Sequence, residues 1–174
     1  MSVSEDYPAE PSALYWITKG MRGIFSPPAL ILTTSFIGFA ALARDAGISW
    51  VEASFMTFVI WALPAKIILV GAITAGVSLP AAALAVGLSS LRLMPMVVAL
   101  LAEIRTPKTR TITLLFLSHF VAITGWVYTM ERVDQVPRER RALFFGSFAI
   151  LLTVVNTIVV ALVFNLMEIG RAHV

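Results

Sequence analysis

Residues 51–95 read VEASFMTFVI WALPAKIILV GAITAGVSLP AAALAVGLSS LRLMP, and the expected architecture turns on them. It holds one apolar run from Val51 to Ala75 and the greater part of another from Leu79 to Leu101, joined by Gly76-Val77-Ser78. Each run is long enough to cross the roughly 30 Å of hydrocarbon in a bilayer. Each is interrupted by a proline beside a cation, Pro64-Ala65-Lys66 in the first and Arg92-Leu93-Met94-Pro95 in the second. Hydrocarbon offers no water to an unpaired carbonyl or a buried charge, so such breaks survive only where they face a cavity or other protein. The stretch is expected to be the core of a membrane transporter.

Outward from that core, the composition agrees. Of 174 residues, 59% are hydrophobic and 13% charged, where a soluble domain carries about 25% charged residues. Thirteen Lys and Arg against ten Asp and Glu give a net charge of +3. The charges sit in short clusters between apolar runs and not along one polar face, which favours lipid headgroups and argues against nucleic acid. The absence of cysteine excludes disulfides and thiolate metal or redox sites. No phosphate loop, no paired carboxylate within a run and no His-x-x-x-His spacing is present, so no enzyme, metal or cofactor is expected.

Residues 1–26 are expected to form an N-terminal tail and an interfacial helix. Met1 to Pro11 is acidic and proline-bearing, and from Ser12 to Phe25 apolar residues mix with Lys19 and Arg22. Ala41-Leu42-Ala43 resembles a cleavage site, but the acidic lead is wrong for a signal peptide. Residues 27–167 form the membrane domain, with a first span from about Pro27 to Ala43 and the two broken runs after it. A fourth run covers Thr111 to Met130 and a fifth Ala142 to Met167. The expected fold is therefore an all-α polytopic membrane protein with about five transmembrane helices, the second and third broken. Positive charge weakly favours a cytoplasmic N-terminus. Basic loops on both sides of the fourth run conflict with that arrangement, and a re-entrant second or third run would relieve the conflict.

The candidate site residues follow from the cost of polarity in lipid. A lone Arg92 costs about 2.5 to 3.5 kcal/mol at mid-membrane on insertion scales. It is a bidentate clamp for a solute carboxylate, a structural cation bonded to carbonyls freed by Pro95, or a side chain that snorkels to an interface if the span is tilted. Lys66 is either a second carboxylate contact, a stand-in for a bound sodium ion or a brace for the break at Pro64. Two cations with no acid beside them suggest an anionic or carboxylate-bearing ligand. His119 is a proton-relay candidate, because histidine titrates near physiological pH, or a neutral imidazole bonded to a carbonyl. Asn156, with Thr153 and Thr157, is a solute contact or interhelical glue. The small residues of the second and third runs explain close packing and would permit sliding. Trp16, Trp50, Trp61, Trp126 and Tyr128 need no more than interfacial anchoring, and Arg138 to Arg141 a solvated headgroup contact.

From Gly20 onward the chain resembles the large permease subunit of the AzlC-type branched-chain amino acid exporters. The likeness lies in Pro28, Gly38-Phe39-Ala40-Ala41, Gly47-Ile48-Ser49-Trp50-Val51-Glu52-Ala53, Met56-Thr57 and Trp61-Ala62, with Ser90-Leu91-Arg92 in the place of an Asn-Leu-Arg-His motif. The resemblance departs at Lys66, Ser90, Leu93 and Ser118-His119, where the family usually has Gln, Asn, His and an Asp-Glu pair. It implies a bacterial inner-membrane protein that exports small amino acids, of the leucine, isoleucine and valine type, by ion-coupled alternating access. It implies a small AzlD-type membrane partner; of the polar set only Arg92 keeps the family's identity, and Arg92, Lys66, Ser90 and Asn156 together are the candidate substrate contacts. The rivals are a non-transporting scaffold or regulatory subunit, or a transporter of another small carboxylate. Family members usually continue for a further span, whereas residues 168–174 match the in-frame translation of a library adapter and are expected to be a non-native tail.

Overall fold

The computed structural model describes residues 11–172, so nearly all of the expected acidic tail and the last two residues lie outside the described residues. Among those described, all regular structure is helical. The helices are α1 (Ala13–Met21), α2 (Pro27–Asp45), α3 (Trp50–Val59), α4 (Leu63–Thr74), α5 (Leu79–Leu91), α6 (Met94–Ile104), α7 (Thr111–His119), α8 (Ile123–Met130) and α9 (Arg138–Ala172), with short 3-10 turns at Arg22–Phe25 and Val133–Gln135.

Local chemistry explains most of the boundaries. Prolines stand in the opening positions of α2, α4, α5 and α6, where the missing N–H would have had no helical partner. A capping box opens α3: the Ser49 hydroxyl accepts from the Glu52 amide while the Glu52 carboxylate accepts from the Ser49 amide. Just beyond α2 and α4 stand Gly47 at φ 75° and Gly76 at φ 62°, a left-handed conformation that closes a helix and that glycine adopts without a side-chain penalty.

α9 is the post on which the rest is hung. Its first half places Phe144, Phe145, Phe148 and Leu152 in a buried cluster with Trp16, Ala29, Trp61, Leu117 and Tyr128. Its second half places Val160 and Phe164 with Phe36, Phe39, Ala40, Ala43, Ala53 and Val70. α1, the helix expected at the interface, packs on α9 so closely that a Cβ on Gly20 would collide with the Phe144 carbonyl and the Ser147 hydroxyl.

Two helices, Pro27–Asp45 and Arg138–Ile169, are long and apolar enough to cross a membrane, or up to four if each bent pair is one span. About five spans were expected, the second and third of them broken; length and composition give two to four candidates. The second run is split at Ile60–Ala62 into helices of 10 and 12 residues, and the third bends by 53° between α5 and α6. The fourth, expected to be continuous, turns by 118° between α7 and α8. Extended backbone at Ala122 (φ −127°, ψ 166°) makes that turn with no proline nearby.

Candidate functional site

The three breaks come together. A cavity of about 560 Å³ is lined by Val59, Ile60, Trp61 and Ala62 from the first break, by Ser90, Leu91, Leu93 and Met94 from the second, and by Ser118, His119 and Val121 from the third. Val86, Gly87 and Val97 complete the wall. The ends of six short helices therefore meet at one space. Helix ends carry backbone groups without helical partners and partial charges of both signs, so a cavity with a largely apolar side-chain wall still has polarity to offer.

Three side chains add to it. The Ser90 hydroxyl donates to the Val86 carbonyl at 2.9 Å and the Ser118 hydroxyl to the Leu115 carbonyl at 2.7 Å, which leaves their lone pairs as acceptors. His119 packs edge-on against Phe120, with ring centroids 5.2 Å apart. It also lines a smaller apolar cavity of about 270 Å³ with Phe58, Phe116, Ile150 and Thr153.

Trp61 is the residue that sequence reasoning missed. It is not an interfacial anchor: it is 6% exposed, it lines the cavity, and its Nε1–H finds no hydrogen-bond partner among the described residues. An indole nitrogen can only donate, and this one is shielded within the cavity wall. Its place in the Ile60–Ala62 break, just ahead of the proline that opens α4, was the available signal. Trp16 and Tyr128 are likewise core residues, whereas Trp50 is exposed. Tyr128 stacks on Phe148 with centroids 4.4 Å apart.

The remaining expected site residues stand elsewhere. Lys66 is fully buried at 0% exposure. Its ammonium sits 3.5 Å from the Phe36 ring centroid and 4.4 Å from that of Phe39, and donates to the Thr57 hydroxyl at 3.4 Å. Thr57 spends its own proton on the Ala53 carbonyl at 2.9 Å, so its lone pair is free to face the cation. Two ring faces and one hydroxyl make an aromatic cage for an ammonium, built by α2 and α3 and filled from α4. Arg92 is exposed, and no described residue is within hydrogen-bond or ion-pair distance of its guanidinium. Neither Lys66 nor Arg92 lines the central cavity, so the two cations expected as carboxylate contacts are not brought together there. Asn156 is 1% exposed, with its Nδ2 donating to the Leu152 carbonyl at 2.8 Å and its Oδ1 unpaired. Pro64 and Pro95 do not sit in the breaks but just after them, within the first turns of α4 and α6. No group of three or more metal-ligating side chains occurs among the described residues.

Broken helices whose ends meet at a shared cavity are an arrangement that solute carriers use. Residues 27–167 match the AzlC protein family, and the chain belongs to it. That family is associated with branched-chain amino acid transport. No curated protein and no solved structure matches the chain.

Proposed function

We propose that the chain is the permease subunit of a bacterial inner-membrane exporter of small amino acids, of the branched-chain type, working by ion-coupled alternating access. The observation that carries this reading is the meeting of three helix breaks at one cavity whose wall is mostly Val, Ile, Leu and Met, with Trp61, Ser90, Ser118 and His119 as its polar members. An apolar side chain would rest against the aliphatic wall. The solute's carboxylate would take the helix ends and, once the indole turns toward the cavity, the Trp61 N–H, and its ammonium the serine lone pairs.

His119 remains the proton candidate, since it is the histidine at the cavity. Arg92 lies between the cavity-lining Leu91 and Leu93 and is proposed as a rim residue that draws carboxylates in, not as a clamp within. Lys66 acts on the solute only through the fold. A small AzlD-type subunit is the proposed partner.

Flux in liposomes containing the full chain with that partner tests the proposal. L-leucine, L-isoleucine and L-valine should move, and His119→Gln should remove dependence on a proton gradient. No movement of any of the three, together with movement of another small carboxylate such as lactate, would shift the substrate class. No movement of either kind would leave a scaffold.

A further inference from the structure

Two of the helix pairs start and finish at the same end of the bundle. α2 and α9 supply the reference direction: Ala29 packs among Phe144, Phe145 and Phe148, while Phe39 and Ala40 pack with Val160 and Phe164. The two long helices therefore run in parallel, from a first face at their N-terminal ends to a second face.

α3 starts and α4 ends at the second face. Ala46, Ile48 and Glu52 share one crevice with Leu69 and Ile73, and Leu42 shares another with Thr74. α7 starts and α8 ends at the first. There Arg138 donates to the Ala102 carbonyl at 3.0 Å, and Arg141 is ion-paired with Glu103, which ties the end of α6 to the start of α9. The chain between them must leave that face and return to it.

Arm lengths agree. At about 1.5 Å per residue, the 10 residues of α3 and 12 of α4 extend about 15 and 18 Å. The 9 of α7 and 8 of α8 extend about 13 and 12 Å by the same rise. Each arm is close to half of the roughly 30 Å hydrocarbon layer. The tips meet, with the Trp61 and Phe120 ring centroids 6.3 Å apart. Irregular backbone at that depth is tolerated only inside protein or at a cavity, and Trp61, Phe120, Val121 and Ala122 are all buried.

We infer that α3–α4 and α7–α8 are re-entrant hairpins inserted from opposite faces, so that the chain crosses the bilayer three times, by α2, α5–α6 and α9. Each hairpin closes the central cavity toward its own face. A span followed by a hairpin occurs twice in opposite senses, α2 with α3–α4 and α5–α6 with α7–α8, an inverted arrangement of the kind that places solute sites near the midplane. The charge conflict disappears as well. The basic loops at 105–110 and 131–141 now share the first face with Lys19, whose carbonyl accepts from the Tyr128 hydroxyl at 3.3 Å, and the positive-inside rule makes that face cytoplasmic.

The chain has no cysteine, so single introduced thiols report on topology without background. Val51→Cys, Val77→Cys, Lys108→Cys and Gln135→Cys in the full chain are probed in intact cells and in inverted vesicles with a membrane-impermeant sulfonated maleimide. Val51→Cys and Val77→Cys should label only from outside, and Lys108→Cys and Gln135→Cys only from the cytoplasmic side. Five crossings would split both pairs between the faces, and a split in either pair overturns the assignment. Ser49→Cys, Ser78→Cys, Thr106→Cys and Asp134→Cys replace any variant that does not accumulate, under the same rule. Labelling needs no solute, so a failure here and a failure of the transport reading are separate results.

Discussion

The helix pairs α3–α4 and α7–α8 reach the same cavity by different means. The first is written locally: a capping box starts it, Pro64 opens its second arm, Gly76 ends it, and Lys66 braces it in a cage of Phe36, Phe39 and Thr57. The second has no proline and no glycine at its turn. What holds Phe120–Ala122 out of a helix is packing: Phe120 meets Trp61, Phe116 and His119, and α8 presses on Phe145 through Gly125, where an added Cβ would come within 3.1 Å of that ring. A broken helix in a membrane protein needs either a local breaker or a tertiary receiver for its tip. Here one pair has both and the other only the second.

That contrast can be broken at several points. The largest effect is expected at the unassisted turn: Phe120→Ala removes its aromatic anchor and should cost roughly 3–5 kcal/mol, read as a fall in the melting temperature of the purified protein. A loss under about 1 kcal/mol would mean that the turn does not depend on its receiver. In the other pair, Lys66→Ala empties the cage and leaves a void, so a loss of roughly 2–4 kcal/mol is expected in the same assay.

Trp61→Phe keeps the ring contact with Phe120 and removes only the N–H. A single hydrogen bond to a charged ligand group is worth about 1.5–3 kcal/mol, so leucine flux should fall about tenfold or more while the melting temperature barely moves. Unchanged flux would take the indole out of the solute site. The smallest effect is expected at the most conspicuous sequence signal: Pro64→Ala, at a position where a proline is merely compatible with a helix start, should change stability by less than about 1 kcal/mol. Its Val51→Cys and Val77→Cys derivatives should label as before, because capping, cage and packing still hold α3 and α4 apart.

Much of the membrane character was legible from residue types alone. The apolar runs, the sparse charge and the proline–cation pairs marked a helical membrane protein with two broken runs, and the turns at Gly47 and Gly76 fall where glycine stands between runs. The site was legible only in pieces. Ser90 and His119 do line the cavity, whereas Lys66 and Arg92, the two most conspicuous charges, stand outside it. A charge in an apolar run signals that something must receive it, but does not say whether the receiver is a solute, a pair of phenylalanines or the outside of the bundle. Trp61 carried the opposite ambiguity, because a tryptophan near a run's end looks like an interfacial anchor until the run is seen to end at the middle of the bundle.

By itself the sequence determined the solvent and the helices: apolar composition sets the first, and capping residues, prolines and glycines set most boundaries of the second, because these are interactions within a few residues. The tertiary structure alone decided the turn at Phe120–Ala122, the burial of Lys66 and the gathering of three breaks around one space. Those depend on contacts between residues far apart in the chain, such as Trp61 with Phe120 and Glu103 with Arg141, which no local pattern records.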